Sequence, residues 1–148
     1  MEDQIVRLVC RFTVPFIQIY GIYIILYGHL SPGGGFAGGA IIGSSMVLFA
    51  LSFNLAAGSK KIPSSTATVL ESGGALGFAF IGLLAILMGG NYLSNQSAGF
   101  GTGIPGDLIS GGVIPLIAVF IGIKITSTIV TLFYHLIGGE KLEDGDTG

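Results

Sequence analysis

Lys124 is the residue whose type and position most clearly suggest a chemical role, because it lies near the middle of the last long apolar run of the chain. A lysine at the centre of a membrane-spanning helix costs roughly 2.5 to 3.5 kcal/mol on insertion scales, so a counter-charge, a hydrogen-bond acceptor or water must compensate it. Ionisable residues at this depth commonly mark ion pathways or pair with one another. Lys124 is therefore a candidate for an ion path or for an interface.

Glu71 is the only acidic residue inside an apolar run of this chain. Counting residues along two antiparallel helices places Glu71 near one membrane face, roughly 10 Å from the depth of Lys124. Direct pairing would require the lysine to stretch. We therefore expect its preferred partner to be a carboxylate or carbonyl of another subunit, or a water-filled cavity. The alternative is a lysine that snorkels without a role.

Four hydroxyl side chains follow Lys124 within two helical turns: Thr126, Ser127, Thr128 and Thr131. They could line a hydrated track together with the lysine, and Thr128 is kept as an ion-path or interface candidate. The default for hydroxyls embedded in a membrane helix is a hydrogen bond to a carbonyl of the same helix. Both interpretations stay open on sequence alone.

A glycine-rich segment, 28–39 (GHLSPGGGFAGG), joins the first two apolar runs. Its glycine spacing superficially resembles a dinucleotide-binding turn, but the buried strand, crossover helix and downstream acidic residue of that fold are missing. A phosphate loop is excluded because no Lys-Ser or Lys-Thr pair follows the glycines. The candidate residues of this segment, for an ion path or an interface, are His29, Pro32, Gly33, Gly34, Gly35, Phe36, Gly38 and Gly39.

Two interpretations of this turn are about equally supported by its residues. The glycines can adopt backbone angles closed to other residues and so direct amides or carbonyls toward an ion, a water or a neighbouring loop. The same residues also suit a tight turn between antiparallel spans. His29 could titrate near neutral pH or merely bond a turn carbonyl, and the second is commoner for a lone histidine.

The composition of the 148-residue chain predicts an integral membrane protein. Its residues are 51% hydrophobic and only 9% charged, whereas a soluble domain has about a quarter of its residues charged. The net charge of −2 argues against nucleic acid as a partner. Cys10 is the single cysteine, which excludes an internal disulfide and a cysteine cluster for zinc. We expect no signal peptide, no cofactor and no catalytic site in this chain.

The uncharged apolar runs between the charged residues predict an all-α fold with four transmembrane helices in a single domain, 1–148. The expected spans are about 7–29, 36–57, 65–90 and 114–137, followed by a polar tail at 138–148. The last apolar run, 108–137, would be about 45 Å long as one helix, which exceeds a hydrocarbon core of about 30 Å. Gly111, Gly112 and Pro115 predict a break before the fourth helix, with a short re-entrant or interfacial piece preceding it.

Basic residues predict the orientation in a cell membrane. In the four-span layout Arg7, Arg11, Lys60, Lys61 and Lys141 all fall on one side, and the opposite loops contain no lysine or arginine. Because cytoplasmic loops carry the excess of basic residues, both termini are expected in the cytoplasm.

Glycines recur at helical spacing in two of the spans. Gly35, Gly39 and Gly43 form one set, and Gly73 and Gly77 form another. Each set lies on one helical face where backbones can approach closely. Packing among the chain's own helices accounts for any one such pair, while their abundance favours additional partner helices.

The motif Tyr27-Gly28-His29, followed by Pro32-Gly33-Gly34-Gly35-Phe36 and Gly38-Gly39, resembles the signature of the B subunit of Mrp-type multisubunit sodium/proton antiporters. Length and four-span layout resemble that subunit over the entire chain. Related subunits occur in archaeal membrane-bound hydrogenases and sulfur-reducing relatives. The sequence departs from the antiporter pattern at Ser110-Gly111-Gly112-Val113, where a carboxylate is usual, and its Ile121-Gly122-Ile123-Lys124 is more similar to the hydrogenase-associated branch.

The resemblance implies a non-redox membrane subunit of the Mrp-like sodium/proton translocation module of a membrane-bound hydrogenase-type respiratory complex. Its partners would be the other membrane subunits and the lipid bilayer, and the transported ion would be sodium or a proton. The alternatives are a subunit of a stand-alone antiporter, a purely structural assembly subunit, and a self-assembling channel or small carrier.

Overall fold

The computed structural model describes residues 2–30, 32–53, 64–93, 104 and 111–143. These contain four α-helices: α1 (Glu2–Tyr27), α2 (Gly35–Phe53), α3 (Ser64–Leu87) and α4 (Ile114–Glu143). Each helix has a stretch long and apolar enough to cross a membrane, namely Gln4–Tyr27, Gly35–Phe53, Thr66–Leu87 and Ile114–Ile137. The prediction of an all-α integral membrane protein with four spans is confirmed.

The helix bounds differ from the expected spans mainly at their ends. α1 begins at Glu2, and α3 ends at Leu87 rather than near 90. α4 continues to Glu143, past the start of the expected polar tail at 138. The expected continuation of the second span to 57, the pair Lys60 and Lys61, and the tail after 143 lie outside the described residues.

The helices pack in the order α1, α2, α4, α3. α2 lies between α1 and α4, α3 packs on the other side of α4, and α1 also touches α4. α3 therefore has α4 as its main neighbour within the described part of the chain. This order leaves α3 at one edge of the molecule.

Small side chains make most of the buried contacts between these helices, and large ones point outward. Ala50 and Ala67 are 1% and 2% exposed, while Phe16, Leu76 and Leu87 are more than two-thirds exposed. A soluble protein rarely leaves such extensive apolar surface in water. The arrangement fits lipid or other membrane helices as the surroundings, because the backbones of all four segments satisfy their hydrogen bonds internally.

The turn between α1 and α2 depends on glycine at three positions. Gly33 and Gly34 have φ angles of 143° and 102°, in a region that other residues rarely adopt. Gly28 lies so close to Gly34 that a Cβ on Gly28 would collide with the Cα of Gly34. The chain can therefore reverse direction between Tyr27 and Gly35 within a few residues.

The predicted break before the fourth helix is present. A turn at 111–113 includes Gly112 with a φ of 61°, and the Ile114 amide donates to the Gly111 carbonyl at 3.2 Å. Pro115 then falls in the first turn of α4, where its missing amide hydrogen costs nothing. The expected re-entrant piece, including Ser110, lies outside the described residues.

Candidate functional site

The candidate site lies where glycines of α3 pack against α4. A Cβ added to Gly74 would lie 2.8 Å from the Phe120 carbonyl oxygen and 2.9 Å from the Lys124 Cβ. One turn away, Gly77 lies directly under the Phe120 ring. Two glycines of α3 thus let the backbone of α4 come within contact distance and set Lys124 opposite Gly74.

Glu71 and Lys124 form an ion pair across this interface. The Lys124 Nζ lies 3.8 Å from the Glu71 Oε1, and the Thr128 hydroxyl donates a hydrogen bond of 3.0 Å to the same oxygen. The two charged side chains are 39% and 36% exposed, for lysine and glutamate respectively. Three of the sequence candidates, Lys124, Glu71 and Thr128, therefore come together as one polar cluster.

The depth estimate that made direct pairing of Glu71 with Lys124 unfavourable is wrong, whereas the expected partner from another subunit or a water-filled cavity stays a prediction. The estimate assumed that the ends of α3 and α4 are level. In the structure Gly74 faces Lys124, so Glu71 is only three residues, or about 4.5 Å, from the level of the lysine. The two helices are staggered along their axes, and α4 extends to Glu143 at that end.

The other hydroxyls near Lys124 mostly bond neighbouring helices. The Ser127 hydroxyl donates to the Ala67 carbonyl of α3 at 2.5 Å, and the Thr126 hydroxyl donates to the Gly39 carbonyl of α2 at 3.0 Å. The default expectation of bonds within their own helix is wrong for both. Alanine and glycine leave those carbonyls accessible, because they have little or no side chain to cover the backbone.

Thr131 differs from these three hydroxyl residues. Its Oγ1 is buried and has no hydrogen-bond partner among the described residues. It follows Thr128 by three positions, so it continues the same side of α4 that carries Lys124 and faces α3. A buried hydroxyl without a partner normally marks a functional group, stored strain or a bound water.

Two grooves flank α4. A cavity of about 200 Å³ beside α3 is lined by Gly74, Ala75, Phe78, Ile121 and Lys124. A second, of about 330 Å³, is lined mainly by apolar residues of all four helices, including Ile25, Ile42, Leu70 and Ile123. Thr126 and Ser127 line that second groove, but their hydroxyls are already bonded to carbonyls. The polar cluster is therefore associated with the smaller groove.

The glycine-rich turn forms a separate region. Gly35, Gly39 and Gly43 all lie against α4, where a Cβ would press on Ala118, Gly122 and Ile129 in turn. Gly38 faces the other way, onto α1 at Gly21 and Ile25. Pro32, Gly33 and Phe36 are exposed, with Phe36 at 67%. The four glycines of α2 that face a neighbour, Gly35, Gly38, Gly39 and Gly43, therefore allow α2 to pack closely against α1 and α4.

His29 is placed at the junction of this turn with the start of α4. Its Nδ1 lies 3.1 Å from the Leu26 carbonyl oxygen, and its ring lies against Gly111. That carbonyl belongs to the last turn of α1, so the expected bond to a carbonyl of the glycine turn stays a prediction. In the described part of the chain, no three His, Cys, Asp or Glu side chains come together as a metal-binding group.

Sequence reasoning missed Gly74, Gly122 and Ala67. The expected face on α3 was Gly73 and Gly77, yet a Cβ on Gly73 would meet nothing within 4 Å, and Gly74 makes the contact with α4. The double glycine at 73–74 was a signal for close packing, but the sequence contains no information on which of the two faces α4.

Comparison with known proteins identifies one family over most of the chain. A family model described as a domain related to the MnhB subunit of the Na+/H+ antiporter matches residues 5–131. The putative antiporter subunit mnhB2 of Staphylococcus aureus is 30% identical over 140 residues, covering 95% of this chain and 98% of that protein.

Two further similarities come from archaea. The uncharacterized protein MJ1307 of Methanocaldococcus jannaschii is 34% identical over 128 residues, which covers 82% of this chain and 47% of that one. Among solved structures, a chain of the membrane-bound sulfane sulfur reductase, an archaeal respiratory membrane complex, is 34% identical with a TM-score of 0.69. That match covers 86% of this chain and 55% of the other. The chain thus spans about half the length of both archaeal proteins.

Proposed function

Because the chain belongs to the family of domains related to the MnhB subunit of Na+/H+ antiporters, we propose that it is a non-redox membrane subunit of an ion-translocating complex. Its role is to pack membrane helices together and to contribute the cluster of Glu71, Lys124 and Thr128 to a cation path. The observation that carries this proposal is the ion pair itself. Two charged side chains at membrane depth remain more than one-third exposed, so their surroundings in the assembly must be polar or hydrated.

The complex we propose is a respiratory one of the membrane-bound hydrogenase type, in which this chain belongs to the sodium/proton translocation module. The 34% identity and TM-score of 0.69 to a chain of an archaeal respiratory membrane complex support this choice. A subunit of a stand-alone antiporter is the second candidate. It is favoured by mnhB2, which matches this chain almost from end to end.

In either complex, the partners are other membrane subunits and the surrounding lipid, and both termini face the cytoplasm. Arg7 and Arg11 are exposed on the N-terminal part of α1, as suits residues near a membrane surface on the basic side. A fixed ammonium repels cations, so Lys124 tunes or gates the path rather than binding sodium directly.

Copurification distinguishes the two complexes. We expect the affinity-tagged chain, extracted in mild detergent from its own organism, to bring down other membrane subunits together with nickel-iron or iron-sulfur proteins, identified by mass spectrometry. Membrane subunits without redox proteins would favour the stand-alone antiporter. A monodisperse homo-oligomer without other subunits would contradict both.

Replacing the charges singly and together tests the ion path. Lys124→Met and Glu71→Gln each leave one unpaired charge at membrane depth, so we expect both to reduce assembly of the complex. The double variant removes both charges and should assemble better than either single variant, because breaking a pair is costlier than replacing it. Ion transport by the assembled double variant, measured in proteoliposomes, should fall by roughly tenfold, equivalent to about 1.4 kcal/mol in the barrier.

The same double variant separates transport from scaffolding. Wild-type transport rates with normal assembly would make the pair purely structural and would favour a bracing subunit. Lys124→Arg keeps the charge and serves as the control for assembly, since arginine retains the positive head on a stem of similar length.

A further inference from the structure

We propose that the groove lined by Gly74, Ala75, Phe78, Ile121 and Lys124, called here the Lys124 groove, is the docking site for a transmembrane helix of a different subunit. That helix places an uncharged amide or hydroxyl side chain beside the Lys124 ammonium. The inference rests on the proposed function, because it requires the chain to be part of a multisubunit membrane complex. It adds a specific surface and the chemistry of its partner.

The ammonium group of Lys124 is incompletely satisfied within the described residues. It has three N–H donors, and its ion-pair partner Glu71 lies at 3.8 Å, beyond the 2.7 to 2.9 Å typical of a charge-assisted hydrogen bond. The nearby Glu71 oxygen already accepts a bond from Thr128. Hydrocarbon offers no acceptor for the remaining donors, so a polar group must reach the ammonium through the groove.

The charge balance defines the kind of polar group. Glu71 and Lys124 together are neutral, so a further carboxylate or ammonium would leave a net charge at membrane depth, where it is costly. An amide or hydroxyl side chain supplies an acceptor oxygen without a net charge. Side chains of this kind hydrogen-bond across helices in membranes.

The shape of the groove suits a helix rather than a large headgroup. Its volume is about 200 Å³, and on the α3 side the exposed Ala75 presents only a methyl group, whereas Gly74 is already covered by α4. Small residues of this kind allow a neighbouring backbone to approach closely. α3 has α4 as its main neighbour in the described structure, and Ala75 and Phe78 line the groove on the α3 side. A seated helix would cover α3 on a second side.

The second groove offers no comparable polar anchor. The two hydroxyls that line it, those of Thr126 and Ser127, already donate to the Gly39 and Ala67 carbonyls. Its other lining residues are apolar or glycine. Of these two grooves in the described structure, the Lys124 groove is therefore the one that offers a helix from another subunit a specific hydrogen bond.

Site-specific photo-crosslinking in the intact complex tests this docking. With p-benzoylphenylalanine at Ala75, irradiation should yield an adduct with a protein of different mass. Mass spectrometry should map the adduct to an apolar helix that contains Asn, Gln, Ser or Thr. Val69 is the control position, because it is 70% exposed on the side of α3 away from Glu71. The same adduct from both positions, an adduct between two copies of this chain, or adducts with lipid alone would overturn the proposal.

A bulky substitution gives a second, independent measurement. Ala75→Trp should fill the groove and lower recovery of the crosslinked subunit at least tenfold, while Val69→Trp should leave recovery unchanged. Unchanged recovery with Ala75→Trp would overturn the docking site. If the complex copurifies but Ala75 gives no protein adduct, the docking fails and the proposed function stands. If no other subunit copurifies, both fail.

Discussion

At the scale of single residues, the hydroxyl side chains at the α3–α4 interface differ in whether they find a hydrogen-bond acceptor. Thr128 bonds the Glu71 carboxylate, and Ser127 bonds a backbone carbonyl of α3. Thr131, on the same side of α4, has a buried oxygen without a partner in the described structure. A satisfied hydroxyl stabilises the contact modestly, whereas an unsatisfied one costs free energy.

Thr131→Val should therefore stabilise the protein. Valine has nearly the same shape and removes the unpaired hydroxyl, which should raise the free energy of unfolding by about 1 kcal/mol. Thr126→Val should lower it by about the same amount, because that change deletes the bond to the Gly39 carbonyl. Thermal unfolding of the detergent-solubilised protein measures both, and a lower midpoint for Thr131→Val would indicate that its hydroxyl binds something essential, such as a water.

At the scale of helices, glycine decides which surfaces meet. Two neighbouring residues of α3 have opposite environments: a Cβ on Gly74 would press against Phe120 and Lys124, whereas one on Gly73 would meet nothing within 4 Å. On α2, Gly35, Gly39 and Gly43 pack closely against α4, while Gly38 packs closely against α1. Loss of contact at Gly74 would move Lys124 away from Glu71.

Gly73→Ala and Gly74→Ala form a matched pair that tests this packing. Both exchanges favour the helix equally, by up to about 1 kcal/mol. Only Gly74→Ala forces α3 and α4 apart, which should cost about 1 to 3 kcal/mol. We expect a lower unfolding midpoint for Gly74→Ala and an unchanged or higher one for Gly73→Ala. Equal midpoints would contradict the close approach of the two helices.

At the scale of the whole molecule, the four described helices expose much apolar surface, and Lys124 lines a groove between α3 and α4. α3 at the edge and α2 in the middle have different roles. α2 joins α1 and α4 through glycine contacts, while α3 and α4 carry the ion pair. An assembly that covers the Lys124 groove would enclose this ion pair between protein surfaces.

The proposed orientation can be tested by labelling intact cells. In a Cys10→Ser background, which removes the single native thiol, cysteine at Asn91 should react with a membrane-impermeant maleimide from outside. Cysteine at Gln4 should react only after the cells are permeabilised. Both positions are exposed and lie at opposite ends of the predicted spans. The reverse labelling pattern would place the termini outside and contradict the positive-inside argument.

The sequence by itself determined the membrane class, the four spans, the glycine turn and the break before α4, because apolar length and backbone freedom are properties of local segments. It also singled out Lys124, Glu71 and Thr128 individually. Only the tertiary structure decided that these three residues meet and that Gly74, not Gly73, makes the contact. The physical reason is that pairing depends on the axial stagger and rotation of two helices. The axial stagger and the rotation are set by side chains that are distant in sequence and meet across the interface, so they cannot be read from residue counts along one helix.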